Sequence, residues 1–195
     1  AVPSPVIPGY RVDVAAVPSE TVTQEDIVKD VHYTIQTQRV TYTVVDDTTG
    51  TTLENQVELT TGESDAALPA AAQRKYDTVV SAYLAQGYEL VSKDPLPAKF
   101  DLDSSHDQNV TVHLKHGTTD IQETKKVSLT VRYHGAGSQT PANNVQTATW
   151  TRTVTKDKIT GTEVSATAWT SDKTNYDAVP SPVIPGYRVD VAAVP

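Results

Sequence analysis

The chain has 195 residues, room for two small domains or one medium one. It carries 24 acidic and 16 basic residues, a formal net charge of −8, which argues against a nucleic-acid partner because such partners reward clustered Lys and Arg. It has no cysteine, which excludes a disulfide scaffold, a thiolate metal site and a cysteine nucleophile. No apolar run reaches the roughly 18 residues of a membrane helix, no signal peptide opens the chain, and the absence of methionine marks it as not starting at its own initiation codon. Threonine (29) and valine (27) dominate. Both are β-branched and favour pleated, half-buried surfaces.

Residues 1–18, AVPSPVIPGYRVDVAAVP, recur without change as residues 178–195, an offset of 177. Such a duplication reads as a window slightly longer than one period of a tandem array. A period this long makes each repeat one or two whole domains, hence beads on a string rather than a solenoid. In the parent array the residue after Pro195 is expected to match Ser19.

Between the duplicates the elements follow in order. Residues 26–35 contain Ile27, Val28, Val31, Tyr33 and Ile35 and read as a strand. Residues 39–45, RVTYTVV, place Val40, Tyr42 and Val44 on one face. Asp46-Asp47-Thr48-Thr49-Gly50 signals a turn, and residues 53–59 complete a hairpin. The one helix is predicted over residues 71–86, where Ala72, Tyr76, Val79, Val80, Tyr83 and Leu84 form a single apolar stripe. Pro69 precedes it and Gly87 follows it, the usual asymmetry of helix ends. Strands are expected at 88–91 and 110–114, and this order fits a β-grasp (ubiquitin-like) domain.

Residues 117–124 are polar and read as a linker. Beyond them strands are expected near 127–133, 145–155 and 162–170, with a short extended piece at 187–191 and no helix. The fold class is therefore mainly β, or α+β: a β-grasp domain with one helix, then a second domain that is all-β or nearly so, in an elongated tandem arrangement.

Several runs resemble the mucus-binding (Mub) repeats of lactobacillus cell-surface adhesins, related to MucBP domains. RVTYTVVDDTTGTTL (39–53), GYELVS (87–92) and VTVHLKH (110–116) resemble the first, β-grasp half. TWTRTVTKDKITG (149–161), Trp169 and VPSPVIPGY (179–187) resemble the second. The resemblance implies three segments. Residues 1–37 would be the tail of the preceding repeat, bearing the closing strand of its second domain. Residues 38–118 would be the β-grasp mucin-binding-type domain. Residues 119–195 would be a second β-rich domain truncated at its C-terminal strand. It implies a non-enzymatic, extracellular, cell-wall-anchored adhesin repeat that binds mucin glycoproteins or their glycans, with the anchor outside this fragment and no membrane insertion. Alternatives are a structural spacer, or an immunoglobulin-binding module using the hairpin strands of residues 39–59. Mucins are anionic, so binding by a chain of −8 is expected not to depend on net charge.

The resemblance transfers no catalytic residue and no glycan-contact motif, so the glycan-binding residues stay unassigned. The loop at residues 101–107 alternates oxygen side chains, and Asp101, Asp103 and Asp107 are the candidate calcium ligands. The EF-hand likeness stops at His106 and Val112, which stand where glycine and glutamate belong, so a solvated acidic turn is the competing reading. His113 and His116, three apart on a strand, point to opposite faces and do not share a zinc. Trp150 and Trp169 are expected in the second core, with sugar stacking as the alternative. No spaced Ser-His-Asp motif is present. Finally, residues 26–35 are expected to pair with the second domain, from another molecule, tail to head. The two 18-residue copies would then compete for one place.

Overall fold

The computed structural model describes residues 1–194. It divides into two compact units, Ala1–Gly117 and Thr118–Pro195.

The first unit opens with three short strands, β1 (Val2–Pro3), β2 (Tyr10–Val12) and β3 (Ala16–Val17), then β4 (Tyr33–Ile35). Its body is β5 (Thr37–Asp46), β6 (Thr51–Glu63), helix α1 (Ala70–Gln86), β7 (Tyr88–Lys93) and β8 (Gln108–His116). The four long strands lie in the order β6-β5-β8-β7, with β5 and β8 parallel in the middle and antiparallel strands on both flanks. This is the β-grasp order that the sequence predicts.

The helix covers one face of that sheet. Val40, Tyr42 and Val44 of β5 alternate inward with Val110, Val112 and Leu114 of β8, and Ala72, Tyr76 and Val80 of α1 close over them. The predicted stripe is narrower than drawn, because Leu84 is exposed. Pro69 stands at the N-terminal end without a side-chain cap, and Gly87 ends the helix in the left-handed region at φ 112°. Strand β6 runs on through Gly62, beyond the residues 53–59 expected for it. A Cβ on Gly62 would lie 2.2 Å from the ring of Phe100, so glycine is there to let that buried ring approach.

The second unit contains β9 (Thr118–Val131), a 3-10 turn (Gly137–Gln139), β10 (Asn144–Asp157), β11 (Glu163–Ala166), β12 (Thr170–Ser171), β13 (Val179–Pro180) and β14 (Ala193–Val194). The polar linker expected at residues 117–124 is instead strand from Thr118 onward. β9 pairs antiparallel with β10 along its whole length, from Thr118↔Asp157 to Val131↔Asn144. Its outer part is polar because it lies largely in solvent, and its threonines keep the strand preference without apolar side chains. The unit's buried apolar residues, Val131, Ala136, Ala148, Val154 and Val179, are spread along it.

The two 18-residue duplicates fold alike. Each closes as a hairpin, Val2↔Val17 and Pro3↔Ala16 in one, Val179↔Val194 and Pro180↔Ala193 in the other. In each, a serine Oγ donates across the loop at 2.5 Å, Ser4 to the Val14 carbonyl and Ser181 to that of Val191. They do not compete for one place. The expected strand over residues 26–35 shrinks to Tyr33–Ile35, and it pairs with Tyr10–Val12 of the first copy, not with the second unit. The partner is close in sequence, so closure costs less loop entropy than spanning the β-grasp body.

Candidate functional site

Two surfaces concentrate polar and aromatic groups. The first is a groove of about 390 Å³ between α1 and β6. One wall is helical: Lys75, Val79, Ala82 and Gln86 repeat at the i, i+4, i+7, i+11 spacing of one helix edge, beside the buried stripe. Glu54 of β6 forms the other wall. Both carboxylate oxygens of Glu54 accept tyrosine hydroxyls, Tyr42 Oη at 2.5 Å and Tyr83 Oη at 2.7 Å. Burial, with the facing Glu54 carboxylate, pushes the Tyr42 phenol up to about 12 and raises that of Tyr83 as well. Both hydroxyls therefore stay protonated donors at physiological pH, and Glu54 is held in one orientation. Lys75 Nζ donates to the Glu58 carbonyl at 2.9 Å, which places its ammonium at the groove rim. Such a groove offers an amide (Gln86), an ammonium (Lys75), a hydroxyl (Thr78) and an aromatic wall (Tyr83), a donor and acceptor set suited to a sugar.

The second surface lies on the sheet of the second unit. Trp150 and Trp169 are not core residues: each leaves more than a third of its surface in solvent, 37% and 38%. Trp150 pairs with Ser171 and Thr151 with Thr170, so Trp169 falls opposite Arg152, on the face of β10 that also carries the buried Ala148 and Val154. The Arg152 guanidinium lies 5.0 Å from the Trp169 ring centroid and donates through Nε to Glu123 Oε2 at 2.8 Å.

The candidate calcium ligands are engaged separately. Asp101 Oδ1 accepts the Asp103 amide at 3.3 Å, and Asp103 Oδ1 accepts the Ser105 amide at 2.9 Å. The Ser105 side chain and amide hold the Asp103 carboxyl below the usual range. Asp107 is turned away to Arg39, 2.6 Å from Nη2. Among the described residues, no group of three or more His, Cys, Asp and Glu is placed to hold a metal ion. The two strand histidines also go apart, His113 to Asp47 at 2.7 Å and His116 to Asp46 at 2.9 Å.

The expected immunoglobulin-binding strands differ in access. Of these two strands, β5 is interior to the sheet and β6 is an edge. That edge is interrupted by register shifts against β5 and by Gln56 at φ 48°.

The sequence reading does not find the Glu54 groove. Its signal is present as the second helical line through Lys75 and Gln86, but Glu54 joins it only through the sheet. The partial exposure of the tryptophans has no signal in the local sequence pattern.

A mucin binding domain family model matches residues 38–116, and a Muc B2-like domain family model matches residues 118–195. Among solved structures, a crystal structure of Mub-RV is similar at 32% identity and a TM-score of 0.57, over 80% of this chain and 88% of that one. The type 2 repeat of the mucus binding protein MUB from Lactobacillus reuteri is similar at 29% identity and a TM-score of 0.50, over the same shares. No curated protein matches the chain. With a β-grasp unit followed by a β-rich unit, and a Mub repeat matched along most of both chains, this chain belongs to the Mub repeat family.

Proposed function

We propose that this chain is a non-enzymatic adhesion repeat of an extracellular, wall-anchored protein, and that its first unit binds mucin glycans in the α1–β6 groove. The observation that carries the reading is the coincidence of that groove with the segment matched by the mucin binding domain family. Glu54, fixed by Tyr42 and Tyr83, presents a rigid wall, and rigid walls reduce the ordering cost of binding a sugar. Lys75 supplies one positive charge to an acidic sugar although the chain as a whole is negative. One such groove binds weakly, and an array gains by multivalency.

The test is mucin binding by the Lys75→Ala/Gln86→Ala variant. Both residues are exposed, so the fold tolerates the change. A loss of about tenfold supports the groove, and unchanged binding removes it. A second reading rests on the exposed faces of Trp150 and Trp169, which sugars could stack upon. It requires that Trp150→Ala, not the groove variant, abolish binding. Immunoglobulin capture through the β6 edge is a third reading, in which a fragment covering residues 39–116 retains immunoglobulin binding. Main-chain pairing at that edge would have to bypass Gln56.

A further inference from the structure

The duplicated segment appears once with a partner strand and once without. In the first copy, Tyr10–Val12 pairs with Tyr33–Ile35, in the register Tyr10↔Ile35, Arg11↔Thr34, Val12↔Tyr33. The pairing extends at both ends: the Gln36 amide donates to the Gly9 carbonyl at 2.8 Å, and the Asp13 amide to the His32 carbonyl at 3.0 Å. Asp13 also takes the His32 amide on Oδ1 at 2.8 Å, and Tyr33 Oη donates to the Pro5 carbonyl at 2.6 Å. Every receiving group has a counterpart 177 residues on: Gly186, Asp190, Pro182 and the edge of residues 187–189. The backbone carrying them has the same shape, with Gly9 at φ 81° and Gly186 at φ 82°. Yet residues 187–189 pair with no strand among the described residues. They line a cavity of about 620 Å³ instead, facing Val131 and Tyr133.

A second observation points the same way. Gly9 packs against the β-grasp body, where a Cβ would lie 2.9 Å from Leu102 Cδ2 and from Ser64 Cβ. Ser64 is tied into the same place, its amide donating to the Gln36 carbonyl at 3.0 Å. Around Gly186 nothing among the described residues lies within 4 Å of a Cβ. One copy of this sequence is thus bound to a strand and a β-grasp surface, and its identical twin presents the same groups to solvent.

We infer that residues 178–194 form a docking surface for the neighbouring repeat of an array, whose strand of the sequence His32-Tyr33-Thr34-Ile35-Gln36 adds to the edge of residues 187–189. The occupant is identified by the internal twin: the register, the Asp190 carboxylate and the Pro182 carbonyl all match what the first copy already holds. Consecutive repeats are then joined by main-chain pairing and glycine packing as well as by the chain itself, which stiffens the array relative to beads on a flexible string. A separate molecule of this chain is a poor donor, because its own Tyr33–Ile35 strand is already paired with its Tyr10–Val12.

The test lengthens the chain after Pro195 by the sequence of residues 19–38 and follows amide hydrogen exchange. In the first copy the amides directed at the partner alternate, so Arg11 and Asp13 are the protected ones, and they serve as the reference within the same molecule. In the present chain Arg188 and Asp190 are expected to exchange fast. In the lengthened chain they slow by about tenfold or more, toward Arg11 and Asp13. Changing the added counterpart of Thr34 to proline, which removes the central donor, returns them to fast exchange. The inference is overturned if Arg188 and Asp190 are already slow in the present chain. It is equally overturned if they stay fast in the lengthened one, or if the proline-bearing extension protects them as well.

Discussion

Gly9 and Gly186 share one backbone conformation, φ 81° and 82°, but a Cβ on Gly9 would abut Ser64 and Leu102 while one on Gly186 would meet nothing within 4 Å among the described residues. Alanine at either site is strained by the left-handed backbone, at about 1–2 kcal/mol. Only at Gly9 must packed neighbours also move. Gly9→Ala is therefore expected to destabilise the protein more than Gly186→Ala. Denaturant unfolding of the two variants measures the difference with local sequence held constant. Equal losses would show that the contact with Ser64 and Leu102 contributes nothing.

Gly62 is a second glycine fixed by approach rather than by turn geometry. A Cβ there would stand 2.2 Å from Cε2 of Phe100, whose ring is buried. Gly62→Ala should cost about 1–3 kcal/mol, the range for overpacking a filled core. Combining it with Phe100→Leu, which makes room, should recover part of the loss in a double-mutant cycle.

Tyr76 of α1 is wholly buried against the sheet, and its hydroxyl has no hydrogen-bond partner among the described residues. Burial pushes its phenol up to about 12. An unsatisfied buried hydroxyl carries a desolvation cost of about 1–3 kcal/mol, so Tyr76→Phe should leave stability unchanged or raise it. A fall in the unfolding midpoint of more than a few degrees would contradict this.

Asp46 closes the first hairpin turn. Its carboxylate takes the Thr48 amide at 2.9 Å, Thr49 Oγ1 at 2.8 Å and His116 Nε2 at 2.9 Å, and is almost wholly buried. Burial alone would raise the carboxyl, but the bonds from Thr49, Thr48 and His116 outweigh it and hold it below its ordinary value of 3.8. A lowered folded value means that Asp46 contributes stability above the unfolded value and loses it as pH falls through the folded one. Asp46→Asn should therefore be less stable than the parent at pH 7. The gap should narrow below about pH 4. Urea unfolding at stepped pH checks both the sign and the window.

Mucin binding offers a test of electrostatics. If the α1–β6 groove acts through Lys75 on an acidic sugar while the chain carries −8, two opposed charge effects are present. Raising salt screens both, so binding should change little between about 0.05 and 0.3 M salt, where the Debye length falls below the width of a domain. Loss of most binding over that range would mean that affinity comes from a charged patch and not from the groove.

Local chemistry made much of this protein legible in its sequence. The period of the apolar residues set the helix over Ala70–Gln86 and the inward faces of β5 and β8, since 3.6- and 2-residue periods leave few alternatives. Asp46 and Gly50 marked the turn because a carboxylate that takes the Thr48 amide and the Thr49 hydroxyl, and a glycine at φ 71°, have little other use there. The unbroken repetition of residues 1–18 announced the array. Tertiary structure decided what depends on residues far apart in sequence. Thr118–Thr124 is strand because β10 runs beside it, not because of its own pattern. Trp150 stays partly in solvent although it shares its strand face with the buried Ala148 and Val154, a difference the alternation alone does not draw. Glu54 became the wall of a groove only when β6 brought it to Tyr83. The same eighteen residues have two fates, since local forces shape both hairpins while a partner strand, Tyr33–Ile35, meets only the first.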